Sequence, residues 1–495
     1  MLQRNIVLWC GSRTNRRSAI EFENRRLHLK VVKAEIEEAD LLSARGIVFA
    51  FGNNRVSEVR QLAEANVQRA IDHGLQILVL ANDDALLRYA DEEFGELKVP
   101  KYERRLGDIA GADHEIAQAM LMTDPKRSYS ATLQIEHAQE PTELLAPDEL
   151  LLRRAFSDCR MINISPLSGG KTAEAYMVKA TFAPHGSPVG PRPLPFFAKL
   201  SSRRKIDDEV GNYSTYATYF IPFHLRPNLD ETRCLLGFEQ GLLVGNFVER
   251  AEPLWRVARR GNARAAIRSL FDVTLRGWRD QGFERGLVKD SSVAGALGKK
   301  IFDHRAVRPE HLRRAKELGL SRTPKEMWEI LLGKNQCYYS APMHGDLHPD
   351  NVFVRGGDAI LIDLGSVKHG PLSGDLACLE TSFAFGNYDD DDDAAFNEEA
   401  WVASIDQLYD ARWFRRVPPR AMGSGVRVPL FNCARQVRSI ALPGQACGSE
   451  YISAVAMYLS RRAMHPGDGP DGFRRAYALV IADRLIGALE DGRFD

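Results

Sequence analysis

The sequence lacks the features that mark membrane, secreted and zinc-binding proteins. No apolar run approaches the roughly 20 residues of a membrane-spanning helix, and the longest apolar strings, such as GIVFAF and LQILVLA, have the length of strands. The 7 cysteines are scattered, with no Cys-x-x-Cys pair, which argues against a disulfide framework or a zinc site. The amino end has too short an apolar run and too much arginine for a secretory signal. We therefore expect a cytoplasmic protein with reduced thiols and no membrane partner.

The chain also lacks net charge, because 66 Lys and Arg residues balance 66 Asp and Glu residues over its 495 positions. Phosphate binding requires surplus cations, so we do not expect nucleic acid as a general partner. The balance is nevertheless uneven. Residues 251–345 carry 19 basic and 10 acidic side chains, whereas residues 346–399 carry 2 and 13. The basic segment could attract an anionic acceptor or partner.

Short apolar strands alternate with helical patterns over residues 1–125. The strands are predicted at 6–10, 29–32, 46–52 and 75–81, and a long amphipathic helix separates the last two. This order predicts an α/β domain with an open parallel sheet, and it resembles receiver or flavodoxin-like domains. The first and third strands do not end in carboxylates, so we expect no phosphoacceptor function. We interpret the domain as an interaction or sensing module that could bind a protein partner, with an unrecognised enzyme as the alternative.

The rest of the chain divides into three segments. Residues 126–147 are polar, with proline near both ends, and are predicted to be a linker. Residues 148–250 begin with a helix and continue as strands around glycine- and proline-containing loops. Residues 251–495 are mostly helical in pattern.

The segment APMHGDLHPDNVFVRGGDAILIDLGSVKHG, residues 341–370, carries the chemistry. Asp346 and Asn351 are five positions apart on a loop, and Asp363 follows twelve residues later, after a predicted hairpin. In phosphoryl transfer from a nucleotide, one carboxylate orients or deprotonates the acceptor hydroxyl, while an amide oxygen and a second carboxylate hold magnesium. The spacing fits that chemistry. The oxygen ligands suit a hard ion.

These motifs resemble the aminoglycoside phosphotransferase and choline kinase-like branch of the protein-kinase-like fold. HGDLHPDN is similar to the catalytic loop of that family, and IDLGS is similar to its magnesium-binding Asp-x-Gly. The resemblance implies that Asp346 is catalytic and that Asn351 and Asp363 bind Mg²⁺. It covers residues 146 to about 490.

Other residues of this region have supporting roles by the same resemblance. Asp375, in GDLA, corresponds to the aspartate that buttresses the loop. We interpret His344 as a structural residue beneath the loop. For His348, contact with the acceptor, contact with phosphate and structural support remain alternatives.

The fold also requires an upstream lobe that holds the nucleotide. SGGKTAEAYMV resembles the loose phosphate loop of the family. Lys171 in this loop could contact a phosphate, although we favour a solvated turn residue. Lys199 lies in an apolar strand where the fold has its phosphate-binding lysine, and Glu209 is its expected partner, with Asp207 and Asp208 as competitors. The strand and hinge that meet adenine would lie at GLLVGNFVER. The residues assigned to the nucleotide are Ser168, Gly169, Gly170, Lys171, Lys199, Glu209, Gly245, Asn246, Phe247 and Val248.

Together these observations predict an α/β N-terminal open parallel sheet joined to an α+β bilobal protein-kinase-like domain. Its N-lobe would span residues 148–250 and its helical C-lobe residues 251–495. The expected function is transfer of the γ-phosphoryl group of ATP, with Mg²⁺, to a hydroxyl of a small-molecule or protein acceptor. Two alternatives are a nucleotide-binding, pseudokinase-like scaffold that recruits a partner through residues 1–125, and nucleotidyl transfer. The acidic run 389–393 could be a solvated loop or could bind a cationic acceptor.

Overall fold

The computed structural model of the chain describes residues 4–11, 22–23, 25–52, 56–97, 99, 103–106, 113–122, 127, 129–138, 144–167, 174–182, 194–386, 396–421, 427–492 and 494. By its internal contacts the chain separates into two compact units. The first comprises Met1–Val210 and Asn228–Phe247, and the second comprises Gly211–Pro227 and Val248–Asp495. None of the described helices is long and apolar enough to cross a membrane.

The strands are short, as expected for a mixed fold. They are β1 Ile6–Gly11, β2 His28–Val32, β3 Ala44–Phe51, β4 Gln76–Ala81, β5 Glu103–Leu106, β6 Gln134–His137, β7 Cys159–Pro166, β8 Glu174–Phe182, β9 Leu194–Ser202, β10 Leu235–Leu236, β11 Gln240–Asn246, β12 Glu252–Pro253, β13 Leu287–Ser291, β14 Gln336–Met343, β15 Val352–Arg355, β16 Asp358–Leu361 and β17 Lys368–Pro371.

The α-helices are numbered along the described chain. They are α1 Glu38–Ser43, α2 Val56–Asp72, α3 Asp84–Glu96, α4 Asp113–Met122, α5 Ala146–Ala155, α6 Arg203–Asn212, α7 Leu254–Arg259, α8 Arg264–Ser269, α9 Arg276–Arg285, α10 Val293–Leu297, α11 Pro309–Glu317, α12 Pro324–Gly333, α13 Ser373–Phe385, α14 Glu398–Leu408, α15 Val428–Ala441, α16 Glu450–Arg462 and α17 Gly469–Glu490. Single π-helical turns cover Tyr213–Ala217 and Leu270–Thr274.

The first sheet contains five parallel strands in the order β2-β1-β3-β4-β5. Its two faces bury separate apolar clusters, one packed with α2 and α3 and the other with α4. Alternating side chains of β1, β3 and β4 contribute to both clusters, which is why these strands read as continuous apolar runs. The predicted parallel sheet is therefore confirmed. Its strand order is that of flavodoxin-like doubly wound sheets, while the resemblance to receiver or flavodoxin-like domains stays a prediction.

The second sheet has six strands in the order β10-β11-β9-β8-β7-β6. Its pairs are antiparallel except for β6 and β7, which run parallel. The edge strand β6 lies within the segment predicted as a linker, residues 126–147. Helix α5 packs on the sheet through Leu151, Leu152 and Ala155.

Within the first unit, polar contacts join helix α2, which packs on the first sheet, to helix α5 and to the second sheet. The buried guanidinium of Arg154 donates to the carbonyl oxygen of Asp72, and the Asp72 carboxylate accepts from the backbone N–H of Phe238 at 2.7 Å. Gly74, at φ +68°, lies so close that an added Cβ would come within 2.0 Å of Arg154 Nη2. Burial, and then the charge of Arg4, lowers the pKa of Arg154 to about 9. A specific interface therefore packs the N-terminal α/β region against the second sheet.

The second unit is built around α13, α15, α16 and α17. Glu380 on α13 and Arg438 on α15 form an ion pair with no exposed side-chain surface, with Nη2 of Arg438 2.5 Å from Oε1 of Glu380. Tyr451 on α16 donates its hydroxyl to the same carboxylate at 2.8 Å. Because a buried charge is tolerated only with its partners in place, this network fixes the three helices against one another. Two three-stranded sheets, β12-β15-β16 and β13-β14-β17, complete the unit.

Glu450, the first residue of α16, gives a testable dependence of stability on pH. Its side chain is fully buried, and burial raises its pKa from 4.5 to about 7. The neutral form is therefore favoured in the folded state, and the stability that it contributes is present below pH 4.5 and lost as the pH rises to 7. Replacing Glu450 by Gln should keep the neutral shape and raise the free energy of unfolding above pH 7 by up to roughly 3 kcal/mol.

Urea unfolding from pH 4 to pH 8 measures this difference. The exposed Glu399→Gln on α14 is the matched control and should follow the wild type across the range. If the difference in the free energy of unfolding between Glu450→Gln and wild type did not grow between pH 4.5 and 7, the buried carboxyl would not be the cause of the pH dependence.

Candidate functional site

The loop after β14 is anchored by one buried carboxylate. Asp375, in the first turn of α13, accepts the backbone N–H groups of His344 at 2.7 Å and Gly345 at 3.0 Å. Burial raises the pKa of Asp375, whereas these two donors stabilise its charged form. The start of the loop is thus held against α13. These contacts are compatible with the buttressing role that the sequence resemblance implies for Asp375, which stays a prediction.

Gly345 brings the loop against a second segment of chain. It adopts φ +77°, and a Cβ at this position would lie 2.5 Å from the carbonyl oxygen of Ser366. A larger residue would have to displace backbone, so only glycine permits the close approach. The approach sets the residue before Asp346 against the turn that follows Asp363.

Hydrogen bonds within the loop fix the two ends of the HGDLHPDN motif. Asn351 donates its Nδ2 to the carbonyl oxygen of Asp346 at 3.0 Å, and the same oxygen accepts the backbone N–H of His348 at 3.0 Å. Since the Asn351 nitrogen is used inside the loop, its Oδ1 is left as the acceptor atom. That orientation suits an amide that binds a cation through oxygen.

The hairpin predicted between Asn351 and Asp363 is confirmed. Strands β15 and β16 pair antiparallel, and the turn uses Gly356 at φ +62° and Gly357 at φ +95°. The backbone N–H of Ile362 donates to the carbonyl oxygen of Asn351 at 3.0 Å, so Asp363 emerges beside Asn351. Asp363 itself adopts the left-handed conformation, φ +59° and ψ +74°, with an exposed side chain. Such strain in a residue other than glycine is concentrated at functional sites.

His344 lies beneath this arrangement. Its side chain is fully buried, and Nε2 lies 2.9 Å from the carbonyl oxygen of Ile362. The ring therefore contacts the backbone just before Asp363, while the Asp375 contact holds the His344 amide. These contacts support the structural interpretation of His344.

The oxygen atoms of Asn351 and Asp363 fit a hard divalent cation. Within the described ranges, no group of three or more His, Cys, Asp or Glu residues is gathered to hold a metal ion. An ion bound by one amide and one carboxylate would need further oxygen ligands. Nucleotide phosphates and water supply them in magnesium sites of this kind.

The carboxylate of Asp346 is paired with an arginine that sequence reasoning missed. Arg461, near the end of α16, places Nη1 2.9 Å from Oδ1 of Asp346. Burial acts to raise the pKa of Asp346, but the charges of Arg461, His348 and His344 outweigh it and lower the pKa. Arg461 follows Asp346 by 115 positions, and no local motif marks it, so only the packing of α16 reveals the pair.

His348 lies between two carboxylates. Its Nδ1 is 3.3 Å from Oδ2 of Asp350, and its Nε2 is 3.9 Å from Oδ2 of Asp346. The backbone N–H of Asp350 also approaches Nδ1 at 3.3 Å. The ring is therefore placed to support the loop, and its partial exposure also leaves contact with an acceptor or phosphate open.

Two lysines near the site were also not anticipated. Lys300 donates to Oγ of Ser366 at 3.2 Å, and Lys368 donates to the carbonyl oxygen of Leu297 at 2.5 Å. Burial, followed by the charges of Lys300 and Arg461, lowers the pKa of Lys368. Both lysines thus place positive charge next to the turn that follows Asp363.

In the first unit, Lys199 on β9 pairs with Glu209 on α6. Their Nζ and Oε2 atoms are 2.8 Å apart, and both side chains are largely buried. Of the two competing acids, Asp208 instead approaches Arg204 at 3.9 Å. The predicted ion pair between Lys199 and Glu209 is therefore present, while a role of Lys199 in binding phosphates stays a prediction.

The residues predicted for the adenine hinge lie at the end of β11 and directly after it. Gly245 pairs with Phe197 of β9, and Asn246 donates its backbone N–H to the carbonyl oxygen of Asn228 at 3.0 Å. Phe247 ends the first unit and Val248 begins a segment of the second. The predicted phosphate loop, Ser168, Gly169, Gly170 and Lys171, lies outside the described residues, as does the acidic run 389–393.

Comparison with known proteins supports a phosphotransferase. Residues 299–417, which contain Asp346, Asn351 and Asp363, match the sequence profile of the phosphotransferase enzyme family, APH. Among curated proteins, none matches the chain significantly.

Several solved structures are similar in part. An aminoglycoside phosphotransferase from Streptomyces rimosus shares 18% identity, with 58% of this chain and 96% of that one covered, at a TM-score of 0.31. Choline kinase from Cryptosporidium parvum shares 10% identity. The match covers 67% of this chain and 91% of that one, at a TM-score of 0.35. An amicoumacin kinase in complex with AMP-PNP, Ca²⁺ and its ligand shares 12% identity. The match covers 67% of this chain and 89% of that one, at a TM-score of 0.30.

Removing the charge of Asp375 should loosen the loop. In Asp375→Asn, one carboxylate oxygen becomes an NH₂ group that faces a backbone N–H, so at least one buried donor loses its acceptor. We expect the free energy of unfolding to fall by about 2 kcal/mol and amide exchange at His344 and Gly345 to accelerate.

Urea unfolding and residue-resolved hydrogen exchange measure both effects. Asp358→Asn, at the exposed start of β16, is the control and should leave both unchanged. Unaltered exchange at His344 and Gly345 in Asp375→Asn would contradict the anchoring role.

Proposed function

We propose that the chain is an ATP- and Mg²⁺-dependent phosphotransferase that moves the γ-phosphoryl group to a hydroxyl of a small-molecule or protein acceptor. The observation that carries the proposal is the anchored loop, which brings Asp346 and Asn351 together with Asp363. The match of residues 299–417 to the phosphotransferase profile supports it independently. We also propose that residues 148–250 and 251–495 correspond to the two lobes of a kinase-like domain.

Asn351 and Asp363 would hold Mg²⁺ through Oδ1 and the exposed carboxylate. When bound, the ion would neutralise charge on the phosphates. Lys199 would bind the α- and β-phosphates, and Glu209 would position its ammonium through the 2.8 Å contact. The hinge residues Gly245 to Val248 would contact the adenine.

Asp346 would orient the acceptor hydroxyl and accept its proton late in transfer. Its lowered pKa makes it a weak base near neutral pH. Because a loose phosphoryl-transfer transition state needs little deprotonation of the nucleophile, orientation is the larger contribution. This favours the orienting role over that of a strong general base.

Arg461 would act as a positioning residue for Asp346. Its Nη1 donates a hydrogen bond to Oδ1 of the carboxylate. This contact would fix the rotation of the carboxylate and leave Oδ2 to accept a hydrogen bond from the hydroxyl. A charge-assisted hydrogen bond of this length is strong enough to hold the carboxylate in one orientation.

Three substitutions test the proposed activity. Asp346→Asn and Asp363→Asn should each lower Mg²⁺-dependent ATP turnover by at least about 100-fold, because they remove the hydroxyl-orienting group and a metal ligand. Lys199→Ala should raise the Kd for ATP about tenfold or more, through loss of a charge-assisted phosphate contact. Coupled ADP release and calorimetric titration measure these effects.

The exposed Lys205→Ala on α6 is the matched control and should behave as wild type. Equal turnover in wild type, Asp346→Asn and Asp363→Asn would refute the assignment. ATP binding without turnover in the wild type would favour the scaffold alternative, and a product heavier by a whole nucleotide would identify nucleotidyl transfer.

Arg461 can be tested by separating kcat from KM. Arg461→Gln should lower kcat about tenfold, the loss expected from about 1.4 kcal/mol of orientation, with little change in KM for ATP. Arg461→Lys should restore part of the loss, since it keeps the charge. Exposed Arg313→Gln is the control. If Arg461→Gln and Arg461→Lys both had the kcat of the wild type, the positioning role would be wrong.

A further inference from the structure

A cavity in the second unit is lined by arginines that the proposed reaction does not use. It has a volume of about 580 Å³ and lies between α8 and α15. This size is typical of pockets for small molecules. Gln436 on α15 donates to the carbonyl oxygen of Arg264 at 2.8 Å, which holds the two helices together at the cavity.

The lining is strongly cationic. Arg264, Arg268, Arg420 and Arg435 contribute guanidinium groups, whereas Asp272 is its one carboxylate. Asp272 is already 3.6 Å from Arg279, which lies outside the lining. Within the part of the chain that the structure describes, none of the four lining arginines forms an ion pair with a carboxylate.

The arginines also affect one another. Arg435 is half-buried and donates Nε to the carbonyl oxygen of Pro418 at 2.5 Å. Burial, followed by the charges of Arg420 and Arg264, lowers its pKa. Like charges gathered without an ion pair to a carboxylate repel one another, so a bound anion would relieve an electrostatic cost.

We propose that this cavity binds a small anion that carries two or more phosphate groups. Guanidinium forks match phosphate oxygens in bidentate geometry, and the four positive charges of the lining exceed the negative charge that one phosphate group carries. The N-terminus of α15 at Val428 and Pro429 adds a partial positive charge to the same wall. The proposal is independent of the phosphotransferase assignment.

Helix α8, which lines the cavity, also contacts the hairpin that precedes Asp363. Ser269, at the end of α8, accepts the backbone N–H of Ala359 at 3.2 Å. Thr274, in the next π-helical turn, donates to the Ala359 carbonyl oxygen at 2.6 Å. Contacts made at α8 therefore adjoin those that hold β16.

Calorimetric titration of the full chain with tripolyphosphate tests the site. Lys199→Ala serves as the background, so that the proposed nucleotide-binding lysine does not contribute. We expect saturable binding that weakens with salt and an affinity at least about tenfold lower after Arg264→Ala with Arg420→Ala. Sulfate at equal ionic strength should bind more weakly, because it offers one anionic group.

The matched control is Arg308→Ala with Arg313→Ala, which removes two exposed charges elsewhere and should leave the affinity unchanged. Arg268→Glu provides a second test at an exposed position, and circular dichroism verifies folding of each variant. No binding, equal binding by the Arg264 and Arg420 double variant, or sulfate binding as tight as that of tripolyphosphate would overturn the proposal.

Discussion

The candidate site depends on the buried carboxylate of Asp375, which holds the first two amides of the loop at 2.7 and 3.0 Å. An unpaired carboxylate buried at this depth would be costly, so its two donors must stay in place. The same helix carries Glu380, whose ion pair with Arg438 and hydrogen bond from Tyr451 fix α13 among its neighbours. Two acids on one helix thus couple the core of the second unit to the loop that bears Asp346.

The net charge of zero conceals a separation that the structure explains. Acidic groups of segment 346–399 include Asp346 and the proposed metal ligand Asp363, and cations from other elements contact the loop and the turn next to them. Arg461 pairs with Asp346, and Lys300 contacts the turn after Asp363. Part of the preceding basic segment lines a cavity, where Arg264 and Arg268 lie with Arg420 and Arg435. The chain is electrically neutral only as a sum.

Much of this arrangement could be predicted because its signals are local. The parallel strands read as apolar runs, the glycine pair 356–357 marked the hairpin, and the spacing of Asp346, Asn351 and Asp363 indicated their grouping. Glu209 could be preferred to Asp208 by residue type, and it is the acid that contacts Lys199. Arg461, Lys300 and the arginine cavity could not be predicted, since they arise where helices distant in sequence pack together. Strand β6 was also missed, because a four-residue polar edge strand in a proline-flanked segment lacks an apolar pattern.

A crystal structure of the full chain with AMP-PNP and Mn²⁺ tests the central claim most directly, since anomalous scattering locates the ion. We predict a Mn²⁺ peak within about 2.2 Å of both Asn351 Oδ1 and the Asp363 carboxylate, with phosphate oxygens completing the shell. Asp346 should face the open side of the γ-phosphate, with Arg461 still on its Oδ1. A nucleotide whose ion is held by other residues, or a γ-phosphate that Asp346 does not face, would contradict the account.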